Sequence, residues 1–217
     1  MTEAFDWSSV RDASTAPEIT LDLYLGMPED VADRIEVEDG RIIHCESPGP
    51  SHKRIQRNLV ATLLDHTEKH DHETRTCHEV NSELDVLFAE VPRFHYRRPD
   101  AIVYRCVPPD RGGRWKDKPI AADVVIAIEV VSASTVTEDL STKRELYAQA
   151  GIPHYWIIRM AGDDGIAVSI ERLTLTADRT YVSNGPSLRD RDLLAVDTVD
   201  PLPITVTWDQ LDRGFPT

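Results

Sequence analysis

The sequence predicts an α/β (α+β) fold, and three observations in one stretch carry that prediction. Val124–Val131 (VVIAIEVV) is an almost unbroken apolar, β-branched run, as in a strand buried on both faces. The segment after it has helical spacing and ends at Gly151 with Pro153 close behind, a combination that stops a helix. His154–Arg159 then forms a second apolar and aromatic run. Strand, helix and strand in that order make one right-handed crossover with the two strands parallel.

Within the crossover, Ser132–Thr137 reads as a polar turn. Thr135 and Glu138 have capping-box spacing, which starts the helix near Val136. Leu140, Lys143, Leu146, Tyr147 and Ala150 share one helical face, so Lys143 lies on the side that packs against the sheet. Two geometries fit that lysine. It reaches toward Glu129, the one carboxylate in the buried strand, or it pairs at the surface with Asp139 at i, i+4.

Composition sets the outer limits. The chain has 217 residues, 41% hydrophobic and 29% charged, enough for one domain with a real core. Residues 1–17 read as a flexible N-terminal segment and 18–217 as a single domain, with no repeat and no linker. No apolar run approaches the roughly 20 residues that span a bilayer, and the acidic start MTEAFDWSSVRD lacks a signal-peptide core. Cys45, Cys77 and Cys106 are far apart and in no metal-binding spacing, so the expectation is three reduced thiols in a cytoplasmic protein. The net charge of −14 argues against binding nucleic acid over the whole surface. Val91–Ile120, however, holds eight Lys and Arg against three Asp, a local +5 beside −19 elsewhere. Such a strip can meet phosphates.

Along the chain, Ile19–Leu25 reads as a short helix and Arg34–Ile43 as a hairpin turning at Asp39-Gly40. Ser51 is a plausible cap for a helix from about His52 to Lys69, with Ile55, Leu59, Thr62 and Leu63 as its apolar stripe. His52, Lys53, Arg54 and Arg57 crowd the first two turns, where cations oppose the helix dipole and suit an anion. Thr74–Glu79 and Leu84–Phe88 read as a hairpin. In Phe94–Tyr104 the proline at 99 leaves Asp100–Tyr104 as the strand proper, with Asp100 at its start. Val107–Pro119 is a basic loop. Ile166–Thr176 and Arg179–Val182 form a hairpin, Leu188–Thr207 holds one or two short strands, and Trp208–Leu211 a terminal turn.

Asp100, Glu129 and Lys143 form a chemical set. Two hard carboxylates with open positions suit Mg²⁺ or Mn²⁺, and an ammonium beside them can stabilise charge growing on a phosphate.

RPDAIVY, AIEVVSASTVTED and KRELYAQAGIPHYWII, with IEVEDGRI and SPGPSHKRI upstream, resemble the Uma-type bacterial restriction endonucleases of the PD-(D/E)XK nuclease superfamily. The resemblance runs from Ile35 to Ile158. It implies a restriction-endonuclease-like core, a mixed β-sheet flanked by helices. It also implies that Asp100 is the "PD" aspartate, Glu129 the second acidic ligand and the Val130 carbonyl a further ligand to Mg²⁺ (or Mn²⁺). Val131 stands where the superfamily has its lysine, and Lys143 is the matching position on the helix. Glu36 and His52 match the family's upstream acidic residue and histidine. His154 and Arg159 depart from it, standing where acidic residues are frequent.

The expected function is therefore Mg²⁺-dependent hydrolysis of DNA by an endonuclease. Asp100, Glu129, Lys143, Glu36 and His52 would serve the chemistry, and Lys53, Arg54, Arg57 and Arg98 the phosphates. DNA is the expected partner, no membrane is, and a homodimer or higher homo-oligomer is admissible. The rival class is a non-catalytic binding or assembly protein on the same fold, which the acidic total favours and metal titration separates.

Overall fold

In the computed structural model, residues 17–45, 48–131 and 138–215 are described, with the backbone alone at Glu138 and Asp139. The expected N-terminal segment up to residue 16, the polar turn and the capping box at Thr135 lie outside them. In chain order the helices are α1 (Leu21–Leu25), α2 (Glu29–Ala32), α3 (Pro50–Thr74), α4 (Glu138–Ala150) and α5 (Trp208–Leu211). The strands are β1 (Ile35–Glu38), β2 (Arg41–His44), β3 (His78–Ser82), β4 (Val86–Ala89), β5 (His95–Arg97), β6 (Ala101–Arg105), β7 (Val124–Val131), β8 (His154–Met160), β9 (Ala167–Leu175), β10 (Tyr181–Leu188), β11 (Leu194–Thr198) and β12 (Ile204–Thr207). They fall into two compact units, one of described residues up to Cys45 with Asp85–Arg98, the other of Pro48–Leu84 with Pro99 onward. The first unit is assembled from two separated stretches, so no linker composition marks it.

The larger unit is built on a six-stranded sheet in the order β10-β9-β8-β7-β6-β3. Only β7 and β8 run parallel, joined through α4 as the crossover pattern requires; every other neighbour is antiparallel. All eight residues of β7 are buried. From α3, Ile55, Leu59 and Leu63 pack fully buried into one cluster with Val103, Ile126, Ile128, Val130 and Ile158. The β11–β12 hairpin and α5 close the same core with Val196, Ile204, Val206, Trp208 and Leu211.

Two local expectations need correcting. β3 and β4 are not a hairpin: β3 pairs with β6 and β4 with β5, in different sheets. Two short strands close in sequence carry no mark of their partners. Ser51 is not the cap of α3, because Gly49 is the N-cap and Pro50 opens the first turn, where a missing N–H costs nothing. The Ser51 hydroxyl donates instead to the Asp164 carbonyl at 3.0 Å. No breaker follows Lys69, and the helix continues to Thr74 before Arg75 turns left-handed at φ 58°.

The smaller unit is a four-stranded antiparallel sheet, β2-β1-β5-β4, with α1 and α2. Its first hairpin turns as expected, with φ 48° at Asp39 and 77° at Gly40. A Cβ at Gly40 would lie 2.6 Å from the Glu18 side chain, so glycine is required there on two counts. Tyr24, Phe94 and Tyr96 cluster with ring centroids 4.7–5.4 Å apart.

The cysteine expectation fails for two of three. Cys77 and Cys106 are joined by a disulfide with Cα atoms 5.4 Å apart, and Cys45 is exposed and outside that bond. The pairing His78↔Arg105 ends the β3–β6 ladder, and one step further sets the cysteines opposite each other. Their separation of 29 in sequence hides that they are cross-strand neighbours.

Candidate active site

The β6–β7 register pairs Ala101 with Ile128, and one step outward brings Asp100 opposite Glu129. Asp100 is a bend just before β6, where the proline at 99 has ended the previous segment. Its carboxylate Oδ2 accepts from the Val130 N–H at 2.7 Å and from His52 Nε2 at 3.1 Å. The same Nε2 lies 2.9 Å from the Val130 carbonyl oxygen. Both partners are acceptors, so Nε2 carries the hydrogen. Gln56, one turn along α3 from His52, donates to the Asp100 carbonyl and fixes that bend.

His52 is raised above the usual histidine range: burial works against protonation, but the hydrogen bond and charge of Asp100 and the Val130 carbonyl outweigh it. Its other ring nitrogen, Nδ1, is buried with no hydrogen-bond partner among the described residues.

Glu129 is 4% exposed in the middle of the sheet. Two residues of α4 answer the demand this makes for partners. The Lys143 ammonium donates to Oε2 at 3.0 Å and the Tyr147 hydroxyl to Oε1 at 2.7 Å. They sit at i and i+4, which places both on one helix face. Leu140 and Tyr147 bury that face, and Gly151, at φ 82°, ends the helix. Lys143 thus takes the inward geometry of the two expected from sequence; the Asp139 side chain lies outside the described residues.

The hard-oxygen donors that could hold a cation are the Asp100 carboxylate, the Val130 carbonyl and the Glu129 carboxylate. The first two converge on a single point, the His52 Nε2. This donor chemistry fits a hard divalent ion. Among the described residues no cluster of three His, Cys, Asp or Glu side chains is placed to hold a metal, so the carbonyl is needed to complete the set.

The remaining expected residues have partners of their own or are exposed. Glu36 belongs to the smaller unit, where its carboxylate is 5% exposed and accepts from Arg97 at 3.0 Å and the Arg98 N–H at 2.7 Å. Arg98 is equally engaged: its guanidinium bonds Asp85 at 2.7 Å and the carbonyls of Asp33 and Ala32. Expected to meet phosphate, it is held by one carboxylate and two carbonyls of its own unit. On α3, Lys53 pairs with Glu83, Arg54 lies over the Phe215 ring at 4.6 Å, and Arg57 is exposed. In the basic loop, Arg111 forms a two-pronged pair with Asp123 and Trp115 is buried, its indole N–H on the Pro119 carbonyl.

From sequence, Tyr147 reads only as a member of the packing face, and Gln56 is not singled out. Each stands four residues after a candidate, Lys143 and His52, and that spacing was the available signal.

Residues 21–201 match the Uma2 family, described as "putative restriction endonuclease". The chain belongs to the Uma2 family. The fold has a solved counterpart in Anabaena variabilis, described as a "putative nuclease belonging to DUF820". The two chains are 20% identical with a TM-score of 0.57, over 89% of this chain and 97% of that one. At that identity the likeness speaks for the fold, and the nuclease-like architecture expected from the sequence is present. No curated protein matches this Uma2 chain. No helix among its described residues is long and apolar enough to cross a membrane.

Proposed function

We propose that the chain is a Mg²⁺- or Mn²⁺-dependent endonuclease that hydrolyses phosphodiester bonds in DNA. The observation that carries this reading is the convergence of the Asp100 carboxylate and the Val130 carbonyl, with Glu129 and its Lys143 partner on the adjoining residue. Membership of the Uma2 family supports the reaction class.

A divalent cation held by Asp100, Glu129 and the Val130 carbonyl supplies Lewis-acid activation of water and of the scissile phosphate. The chain's own residues do the rest. Gln56 and the Val130 N–H fix Asp100 at both its carbonyl and its carboxylate. Tyr147 fixes one oxygen of Glu129, and Lys143 bonds the other. Lys143 so held brings a positive charge, 13% exposed at its side chain, beside the place where negative charge grows on the attacked phosphate. Exposure of Arg57 in the first half of α3 supports a part for it in meeting a flanking phosphate.

The test is nicking of supercoiled plasmid with Mn²⁺, run beside Asp100→Ala. Cleavage by the parent and none by the variant is the expected result. A parent that binds Mn²⁺ but leaves plasmid and single-stranded DNA intact would point to the binding-module class instead.

A further inference from the structure

The imidazole of His52 occupies the place where the two oxygens nearest to the proposed catalysis meet. Its Nε2 is 3.1 Å from Asp100 Oδ2 and 2.9 Å from the Val130 oxygen. A hydrogen on that nitrogen lies about 2 Å from its acceptors, the spacing that Mg²⁺ keeps from its oxygen ligands, about 2.0–2.1 Å. The N–H and a cation therefore compete for the same lone pairs.

The helix bearing His52 cannot withdraw to relieve that competition. Three residues on, Ile55 is fully buried, and Leu59 and Leu63 follow it into the core. Only the ring can move, by rotation about its side-chain torsions. No hydrogen bond among the described residues holds the ring from its far side, where Nδ1 is buried without a hydrogen-bond partner. Rotation breaks the two contacts at Nε2 and no other hydrogen bond that the ring makes.

We infer that His52 is a built-in placeholder: its Nε2–H closes the Asp100–Val130 oxygen pair when no cation is bound, and the ring must turn away before a cation can be held there. This rests on the reading of Asp100, Glu129 and Val130 as cation ligands, and it assigns His52 a regulatory role against loading, opposite to that of a ligand. The placeholder also accounts for how two oxygens aimed at one point are kept ordered without a cation, since their mutual repulsion is relieved by a shared donor.

The experiment is calorimetric titration of Mn²⁺ into the full chain at one fixed pH, for the parent, His52→Ala, His52→Asn and Asp100→Ala. The two His52 variants lack a donor that reaches both oxygens and should bind Mn²⁺ about ten-fold more tightly than the parent, the scale set by one charge-assisted hydrogen bond. Asp100→Ala should lose the binding. Weaker or equal affinity in the variants, with the parent still binding through Asp100, overturns the placeholder and leaves the site reading intact. Absence of binding in every protein removes both. A second readout does not depend on the variants folding. In the parent, the ¹⁵N resonance of the His52 Nε2 should shift on saturation with diamagnetic Mg²⁺ as the ring leaves its two acceptors. A ring unchanged by saturating Mg²⁺ overturns the inference.

Discussion

Lys143 and Glu129 are 14 residues apart in the chain and meet at 3.0 Å across the strand–helix crossover. The strand alone would carry a stranded carboxylate and the helix alone a misplaced ammonium. The crossover makes each the other's partner. With side chains 13% and 5% exposed, the pair lies where removing one member costs the other a charge partner that water cannot readily replace.

Lys143→Met preserves length and apolar packing but leaves Glu129 with only the Tyr147 hydroxyl among these two donors. Stability should fall by roughly 3 kcal/mol in urea denaturation. The double variant Lys143→Met/Glu129→Gln should recover much of that loss, giving a coupling of more than about 1 kcal/mol in the cycle. Under the proposed function, turnover of the folded single variant should drop by about two to four powers of ten. Near-parental nicking by Lys143→Met would eliminate the lysine from the chemistry.

Glu129→Gln bears on cation binding. If Glu129 is a ligand, Mn²⁺ should raise the melting temperature of the parent by mass action, and the variant should lose most of that response in a thermal-shift titration. A full shift in Glu129→Gln would place the ligands elsewhere.

Arg98 is expected to matter for folding and not for DNA. Its guanidinium satisfies Asp85, which is 4% exposed and also accepts from the Tyr24 hydroxyl. Arg98→Met should cost about 3–5 kcal/mol by leaving that carboxylate without its cation. Lys53→Ala, which removes an exposed pair with Glu83, should cost under about 1 kcal/mol. Similar denaturation midpoints for the two variants would contradict this ranking.

His154 supplies a pH dependence. Burial holds its imidazole below the ordinary histidine value of 6.5, against the pull of Asp200. The unfolded chain therefore takes up a proton that the folded ring refuses. The stability it contributes is whole above 6.5 and is lost as pH falls from there through the folded value. His154→Gln should flatten that part of the profile: the difference in unfolding free energy, parent minus variant, should decrease between pH 7.5 and 5.5. A difference that is constant over this range would sink the assignment.

Much of the larger unit was legible because burial leaves a mark in the residues themselves. VVIAIEVV has the length and β-branching of an interior strand, Gly151 and Pro153 mark the end of a helix, and a carboxylate within the one and a lysine on the inward face of the other made their meeting one of two geometries that the sequence left open. What was not legible depends on partners far away in sequence. Arg97 and Arg98 look like free cations until Glu36 and Asp85 are seen beside them, and the same holds for Arg111 and Asp123. The pairing of β3 with β6 and the Cys77–Cys106 bond depend on a register that no local pattern encodes. His52 lay between these cases: its residue type was suggestive, but its two acceptors come from β7 and the approach to β6.

The disulfide makes a covalent ring of residues 77–106, and that ring contains the whole stretch Asp85–Arg98 that the chain lends to the smaller unit. The excursion is thus tied at its root by a bond within the larger unit. A cut at Arg93, exposed in the turn between β4 and β5, opens the ring without dividing the molecule. Chain nicked there by trypsin should run as one band on a non-reducing gel and as two after thiol treatment. The larger unit would keep both ends of its interrupted sequence covalently joined through β3 and β6, so that the strand bearing Asp100 at its threshold stays tethered even when the backbone route to it is broken.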